Sequence, residues 1–286
     1  DTIVQVTGFC RLNYYGELQE MILRDAGYEH FQMLNFSYVA TGKIRDYVAY
    51  CKKVVNPNLS IPHGVKNLLG AYRMVEHIDT FRDRYLANAG FETEPGSFAR
   101  VRKEFLSAMN AAKSNGDIED GFRRAMDALD ALPTNKPEDP VRVGIVGEYY
   151  TAQDPTSCLN LEQKLLDMGV ELSNAMSISA FNLHYNAQAA RESIAEYSVH
   201  DMGPTSTFNI AAAKRFVKAG YDGLVHIKSA GCTPEIDVMP VLQRLSRDYH
   251  IPVLFLTFDT QTSDAGLDTR LEAFYDMLSM KKEKSK

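Results

Sequence analysis

The second half of the chain alternates between short apolar runs and amphipathic segments, and no other feature constrains the fold as strongly. The runs "VRVGIVG", "DGLVHIK" and "IPVLFLTF" are rich in Val, Ile and Leu, and the segments between them have apolar residues at a helical period. Continuous apolar strands separated by amphipathic helices predict a parallel sheet covered by helices on both faces. The predicted fold class is therefore α/β.

The rest of the chain divides by pattern into four parts. A strand, a helix and a second strand, "FQMLNFS", predict a partial α/β unit over residues 1–62. Apolar residues recur every three or four positions over 63–132, which predicts a helical insert between two α/β parts. The three prolines of "PTNKPEDP" mark a linker over 133–140, and the second α/β domain covers 141–286. Because Asp1 already falls within a strand pattern, we expect further sequence to precede it.

Composition and charge exclude several classes of function. The net charge is −6, and no basic stripe with interleaved aromatic residues is present, so nucleic acid is not an expected partner. No apolar run approaches the roughly 18–20 residues of a membrane span, and no signal peptide is visible. The four cysteines contain no CxxC pair and do not form a disulfide framework. We therefore expect a cytoplasmic protein with reduced thiols.

Common catalytic motifs are also missing. The stretch "VGIVGEYY" lacks the lysine of a phosphate loop and the spacing of a dinucleotide fingerprint, and neither HExxH nor GxSxG occurs. Glu148, which follows a predicted strand, is either a carboxylate of a site or a solvated surface group. His226 lies within a predicted strand, where a hydrogen-bonded core histidine is the plainer interpretation.

Two cysteines follow predicted strands at the position where ligands bind in open α/β sheets. Cys10 follows the first strand, Cys232 follows "GLVHIKSAG", and each precedes a predicted helix. We predict Thr233 as the N-cap of that helix and Pro234 as its first residue. A helix N-terminus favours the thiolate, the form that binds metals. Each cysteine is either a metal ligand or a small buried apolar residue, and Cys158 is a third candidate ligand.

Four segments carry a resemblance to a known family: "IVQVTGFCRLNYYGELQEMILRDAGY", "RVGIVGEYY…LNLEQKLLDMGVE", "GYDGLVHIKSAGC" and "GCTPEIDVMPVLQRLSRDYHIPVLFLTFDTQTSDAGLDTRLEAFYDML". The chain resembles the 2-hydroxyacyl-CoA dehydratase component D and benzoyl-CoA reductase family, in its branch associated with CoA-substrate-specific activases. The resemblance implies Rossmann-like domains that hold a 4Fe-4S iron–sulfur cluster through cysteines at strand ends. It implies an ATP-dependent activase as electron donor, a role in anaerobic metabolism, and Cys10 and Cys232 as cluster ligands.

The chain departs from the family pattern at two points, of which one is "HDMGPTST", where the activase-associated branch often has a Gly/His-rich stretch. Dehydratase subunits have a third cysteine after a middle strand, whereas "VELSNAMSISAF" has Ala175 and Ser177 there. Three functions therefore stay open: an iron–sulfur electron-transfer or reductase-like component, an acyl-CoA dehydratase subunit acting as a lyase, and a cluster-free scaffold of the same fold. A cluster shared across a homo- or heterodimer is compatible with the first of them.

Overall fold

The first unit of the chain is a small β-α-β arrangement. A computed structural model describes residues 2–5, 14–35, 48–49, 52–53, 57–58, 60–200 and 202–284. The chain divides into two units, Asp1–Leu69 and Gly70–Lys286. In the first unit, β1 (Thr2–Gln5) pairs in parallel with β2 (Gln32–Asn35), and α1 (Tyr15–Asp25) connects them in sequence. The two strands and the helix predicted from the sequence are thereby confirmed.

A helical segment follows, as its apolar period predicts. It comprises α2 (Ile61–Asn88), a 3-10 turn (Ala89–Phe91), α3 (Ser97–Ala111) and α4 (Asn115–Asp130). A capping box starts α4, because the Ser114 side chain accepts a hydrogen bond from the Asp117 amide and the Asp117 carboxylate accepts one from the Ser114 amide. Within the described part of the chain, no helix is both long and apolar enough to cross a membrane.

The second unit is organised around a four-stranded parallel sheet, which confirms the predicted α/β class. The strands are β3 (Arg142–Gly147), β4 (Glu171–Asn174), β5 (Gly223–Ser229) and β6 (Val253–Phe258). Their spatial order is β4-β3-β5-β6, and every neighbouring pair is parallel. The two central strands, β3 and β5, are therefore not consecutive in sequence.

Helices connect these strands: α5 (Leu161–Asp167), α6 (Ile178–Asn182), α7 (Ala187–Ser193), α8 (Gly203–Lys218), α9 (Thr233–Tyr249) and α10 (Asp264–Lys284). One connection differs from the sequence prediction. The apolar pattern of "VELSNAMSI" predicts a strand to Ile178, but β4 ends at Asn174 because the Ser177 hydroxyl accepts a hydrogen bond from the Ala180 amide and begins α6.

The sheet separates two hydrophobic clusters. Alternate residues of the strands point to opposite faces. Ile145, Val225 and Leu256 join a large cluster that also contains buried residues of α2 to α5 and of α10. Val146 and Leu224 join a second cluster with buried residues of α8 and α9. The helical segment and the sheet therefore share one core, and α8 and α9 cover the other face.

Arg82 of α2 fastens the helical segment to the sheet. Its guanidinium donates to the Glu162 carboxylate of α5 and to the carbonyl oxygens of Ala152 (3.2 Å) and Met176 (3.4 Å). Asn174, at the end of β4, donates to the same Glu162 carboxylate over 2.8 Å and to the Ala152 carbonyl over 2.8 Å. A partly buried charged network thus links α2, α5 and the end of β4.

Candidate functional site

The candidate site lies at the carboxyl ends of β3 and β5. From β3 the chain crosses to β4 on one side, and it then returns to form β5 and β6 on the other side. Ligands in open α/β sheets bind outside the carboxyl ends of the strands, at the point where the strand order reverses. Topology therefore selects the loops after Gly147 and after Ser229 as the place to look for functional groups.

Cys232 occupies this place. It is the N-cap of α9, half-buried, and directly follows Gly231, whose φ of 76° lies in the left-handed region that favours glycine. The sequence predicts Thr233 as N-cap, but α9 begins one residue earlier, with Thr233 as its first residue and Pro234 as its second. The cysteine itself is therefore at the positive end of the helix dipole, which favours negative charge.

A buried polar network holds the first turn of α9. The Glu235 carboxylate is 2.9 Å from His226 Nε2 on β5 and accepts a hydrogen bond over 2.8 Å from Asn209 Nδ2 on α8. Asn209 also pairs with the backbone of Gly147: its Oδ1 accepts from the amide (2.8 Å) and its Nδ2 donates to the carbonyl (2.9 Å). Four elements, β3, β5, α8 and α9, are thereby joined directly beside Cys232.

The network is removed from water. His226 and Asn209 are 0% exposed and Glu235 is 1% exposed. Burial raises the pKa of Glu235, the hydrogen bond and charge of His226 oppose that rise, and the nearby Glu148 carboxylate adds to it. The other ring nitrogen of His226, Nδ1, is buried and has no hydrogen-bond partner among the described residues. The predicted core histidine is therefore bonded on one side of its ring only.

Gly147 lets β3 approach β5 closely at this edge. Its φ is 147°, and a Cβ atom at this position would lie 1.9 Å from the Ile227 carbonyl oxygen. The next residue, Glu148, uses its carboxylate to accept hydrogen bonds from the amides of Tyr150 (3.0 Å) and Thr151 (2.8 Å) and from the Thr151 hydroxyl. Glu148 is half-buried, and its carboxylate shapes the turn after β3.

Of the other two candidate cysteines, Cys158 alone lies in the described part of the chain, and it is buried apart from Cys232. Cys158 is 4% exposed and belongs to the cluster on the sheet face away from α9. Its thiol lies 3.4 Å from the Asp154 carbonyl, and burial raises its pKa, so the thiol form is favoured. Cys10 lies outside the described residues. Within the described ranges, no group of three or more His, Cys, Asp or Glu side chains could hold a metal ion.

Sequence reasoning missed two members of the network. Glu235 follows Cys232 by three residues, the spacing at which an acidic side chain supports a helix start, so "CTPE" contained a usable signal. Asn209 offered none, because it lies in the middle of α8 and meets Gly147 only through the packing of that helix on the sheet.

Comparison with known proteins gave one family. The family model described as 2-hydroxyglutaryl-CoA dehydratase, D-component, matches residues 103–278. This range runs from α3 to near the end of α10 and contains the whole sheet, the buried network, Cys158 and Cys232. Cys10 falls outside it. A search of curated proteins gave no significant match.

Proposed function

Because the chain belongs to the 2-hydroxyglutaryl-CoA dehydratase D-component family, we propose that it is an iron–sulfur component that receives low-potential electrons from an ATP-dependent activase. A role like that of a 2-hydroxyacyl-CoA dehydratase component follows from the family match itself. The observation that supports electron transfer is the position of Cys232, which caps α9 at the reversal point of the sheet. We also propose that the chain belongs to the activase-associated branch.

Cys232 and Cys10 are the ligands we propose. When bound, a cluster would accept and pass on single electrons at a potential set by its ligands and its burial. A cluster needs more thiolates than the described residues supply. The remaining ligands would come from the part of the chain outside the described ranges or from a second subunit, which makes a homo- or heterodimer part of the proposal.

The buried network has a definite task under this proposal. It fixes the first turn of α9 to β5 and α8 through Glu235, so the Cys232 thiolate would keep one position when iron binds. The half-buried position of Cys232 limits the access of water, and the amides of the first turn of α9 point toward it. The helix dipole and these amides favour a negatively charged sulfur ligand, whereas the limited access of water would help to set the potential of a bound cluster.

The test is anaerobic reconstitution of the protein with iron and sulfide, followed by measurement of bound iron, bound sulfide and visible absorbance. We expect a coloured protein with stoichiometric iron, and Cys232→Ser should lose most of it. Cys158→Ser is the matched control, because Cys158 is buried in the core away from α9. Equal iron content in both variants would contradict the role of Cys232.

Reduction completes the test. The reconstituted protein should be reduced by the activase only when ATP is supplied, as followed by bleaching of the visible absorbance. Reduction that does not require ATP, or its complete absence from an iron-loaded protein, would contradict the electron-transfer role while leaving the metal site intact.

One observation favours a second candidate, a cluster-free scaffold or interaction module. After β4, where the dehydratase subunits that the chain resembles have a cysteine, this chain has Ser177, and its hydroxyl is used to cap α6 over 3.1 Å. A colourless protein after reconstitution of the complete chain would favour this candidate. Binding of an acyl-CoA in calorimetry would instead favour a dehydratase subunit, in which case the chain acts as part of a lyase.

A further inference from the structure

A cleft opens on the side of the sheet domain formed by α6, α7 and α8. Its volume is about 580 Å³, and Asp83 of α2 also lines it. Small side chains on facing helices, Ala189 of α7 and Ala211 of α8, keep the cleft open. Neither Cys232 nor a member of the buried network lines it. The cleft is therefore a separate feature whose properties do not depend on a cluster.

The wall formed by α8 carries three cations. Lys214 is buried and satisfied, since its Nζ donates to the Ser193 carbonyl (2.5 Å) and pairs with the Glu196 carboxylate (2.8 Å). Arg215 and Lys218 have no carboxylate partner within the described part of the chain, and both line the cleft. The Arg215 side chain is exposed, and a guanidinium without a carboxylate partner is stabilised by an anion that enters the cleft.

Aromatic side chains stand beside these cations. The Arg215 guanidinium lies 5.7 Å from the centre of the Phe208 ring, and the Tyr185 ring meets Phe208 edge to face at 5.5 Å. Both rings line the cleft. The floor thus joins an apolar, aromatic region to a positive end, an arrangement that recognises a molecule with an apolar or planar part and an anionic group.

The size of the cleft restricts the ligand further. About 580 Å³ falls within the range of roughly 300–1,000 Å³ that small-molecule sites occupy, and it far exceeds the needs of one inorganic anion. Arg215 and Lys218 are separated by three residues on one helix, a rise of about 4.5 Å, so both can reach one phosphate group. Arginine also binds phosphate oxygens in a bidentate manner.

We propose that this cleft binds an organic phosphate of about nucleotide size, with its phosphate on Arg215 and Lys218 and its carbon portion against Phe208 and Tyr185. The proposal goes beyond the iron–sulfur function, because the site contains none of the residues proposed for the cluster. Asp83, which has no hydrogen-bond partner among the described side chains, supplies a carboxyl group to polar atoms of the same ligand.

The experiment is calorimetric titration of the whole cluster-free protein with AMP, with inorganic phosphate and with adenosine. We expect AMP to bind at least tenfold more tightly than either fragment, and the affinity to fall as salt is raised. The double variant Arg215→Met/Lys218→Met should weaken AMP binding tenfold or more. Arg247→Met is the matched control, since Arg247 is likewise an exposed cation in the last turn of a helix but does not line the cleft.

Four outcomes would overturn the proposal: no binding of AMP, equal binding of AMP and phosphate, unchanged affinity in the double variant, or an equal loss in Arg247→Met. Unchanged affinity in the double variant would mean that Arg215 and Lys218 only complement the helix dipole at the end of α8, and an equal loss in Arg247→Met would mean that binding follows the net charge and not this cleft. Coenzyme A is titrated in parallel, because it carries a phosphate and a planar ring on a longer molecule. Its affinity relative to AMP identifies which source of organic phosphate fits the cleft.

Discussion

Replacing Asn209 by leucine tests whether the buried network holds the carboxyl edge of the sheet. Leucine has the same branched skeleton of side-chain heavy atoms and is larger than asparagine, so the change removes hydrogen bonds without leaving a cavity. Asn209 makes three of them: it accepts from the Gly147 amide, and it donates to the Gly147 carbonyl and to the Glu235 carboxylate. Asn209 itself is 0% exposed, so the three hydrogen bonds are buried.

The expected loss follows from counting the groups that would be left without a partner. A buried donor or acceptor left unsatisfied costs about 1–3 kcal/mol. With three such groups, the free energy of unfolding should fall by at least about 3 kcal/mol. That is a large part of the roughly 5–15 kcal/mol that stabilises a typical domain.

Urea denaturation, followed by circular dichroism, measures this loss. The midpoint should shift strongly while the slope with denaturant stays constant, because the surface exposed on unfolding hardly changes. Gln188→Leu is the matched control: Gln188 is exposed and its amide makes one hydrogen bond, to Glu192. If Asn209→Leu lost no more than about 1 kcal/mol relative to Gln188→Leu, the network would not be what holds this edge.

Three further predictions concern single positions. Gly147→Ala should destabilise the protein by about 3 kcal/mol or more in denaturant melts, because the added Cβ would overlap a β5 carbonyl oxygen. The control Gly220→Ala should cost only about 1 kcal/mol, because Gly220 also has a positive φ but lies in open space. Burial raises the pKa of Asp83 from 3.8 to about 6, so between these pH values the folded state binds more protons than the unfolded state, and the free energy of unfolding should fall as pH rises. Asp83→Asn should remove this pH dependence, and solvent screening limits its gain in stability at pH 7 to about 1 kcal/mol. Thermal melts that show the same pH dependence in both proteins would refute the assignment. Iodoacetamide should alkylate Cys232 in the native protein and Cys158 only after unfolding, and peptide mass mapping measures both reactions. Similar rates of alkylation at the two cysteines would show that Cys158 is accessible in the native protein.

Local pattern predicted most of the elements of the second unit. The strands β3, β5 and β6 are continuous apolar runs, and such runs leave few alternatives when helices separate them. The helices α3 and α4 have a regular apolar period, and α4 also begins with a capping box. Prediction was weaker between residues 170 and 197, where Ser177 and Asn186 cap two short helices. A side chain that caps a short helix can override the pattern of apolar residues around it, and a single sequence does not show which of the two signals prevails.

The candidate site could be predicted only in part. The place of Cys232 follows from topology, because a residue after a central parallel strand must lie at the carboxyl edge. The partners of His226 do not follow from the sequence, since Asn209 and Glu235 come from two different helices that meet only in the folded chain. The sequence shows that Arg215 and Lys218 are cations near the end of a helix. It does not show that they lack carboxylate partners in the described ranges, because that depends on how the helices pack.

The shared core of the helical segment and the sheet determines where the chain can be divided. Leu161, Leu165 and Leu271 are fully buried in the cluster that also contains Phe81 and Phe105. A fragment beginning at residue 141 would leave this face of the sheet domain without its cover, and Glu162 would lose Arg82. We expect such a fragment to aggregate. Deletion studies of this protein should therefore keep α2, α3 and α4 attached, although the proline-rich stretch after them resembles a natural boundary.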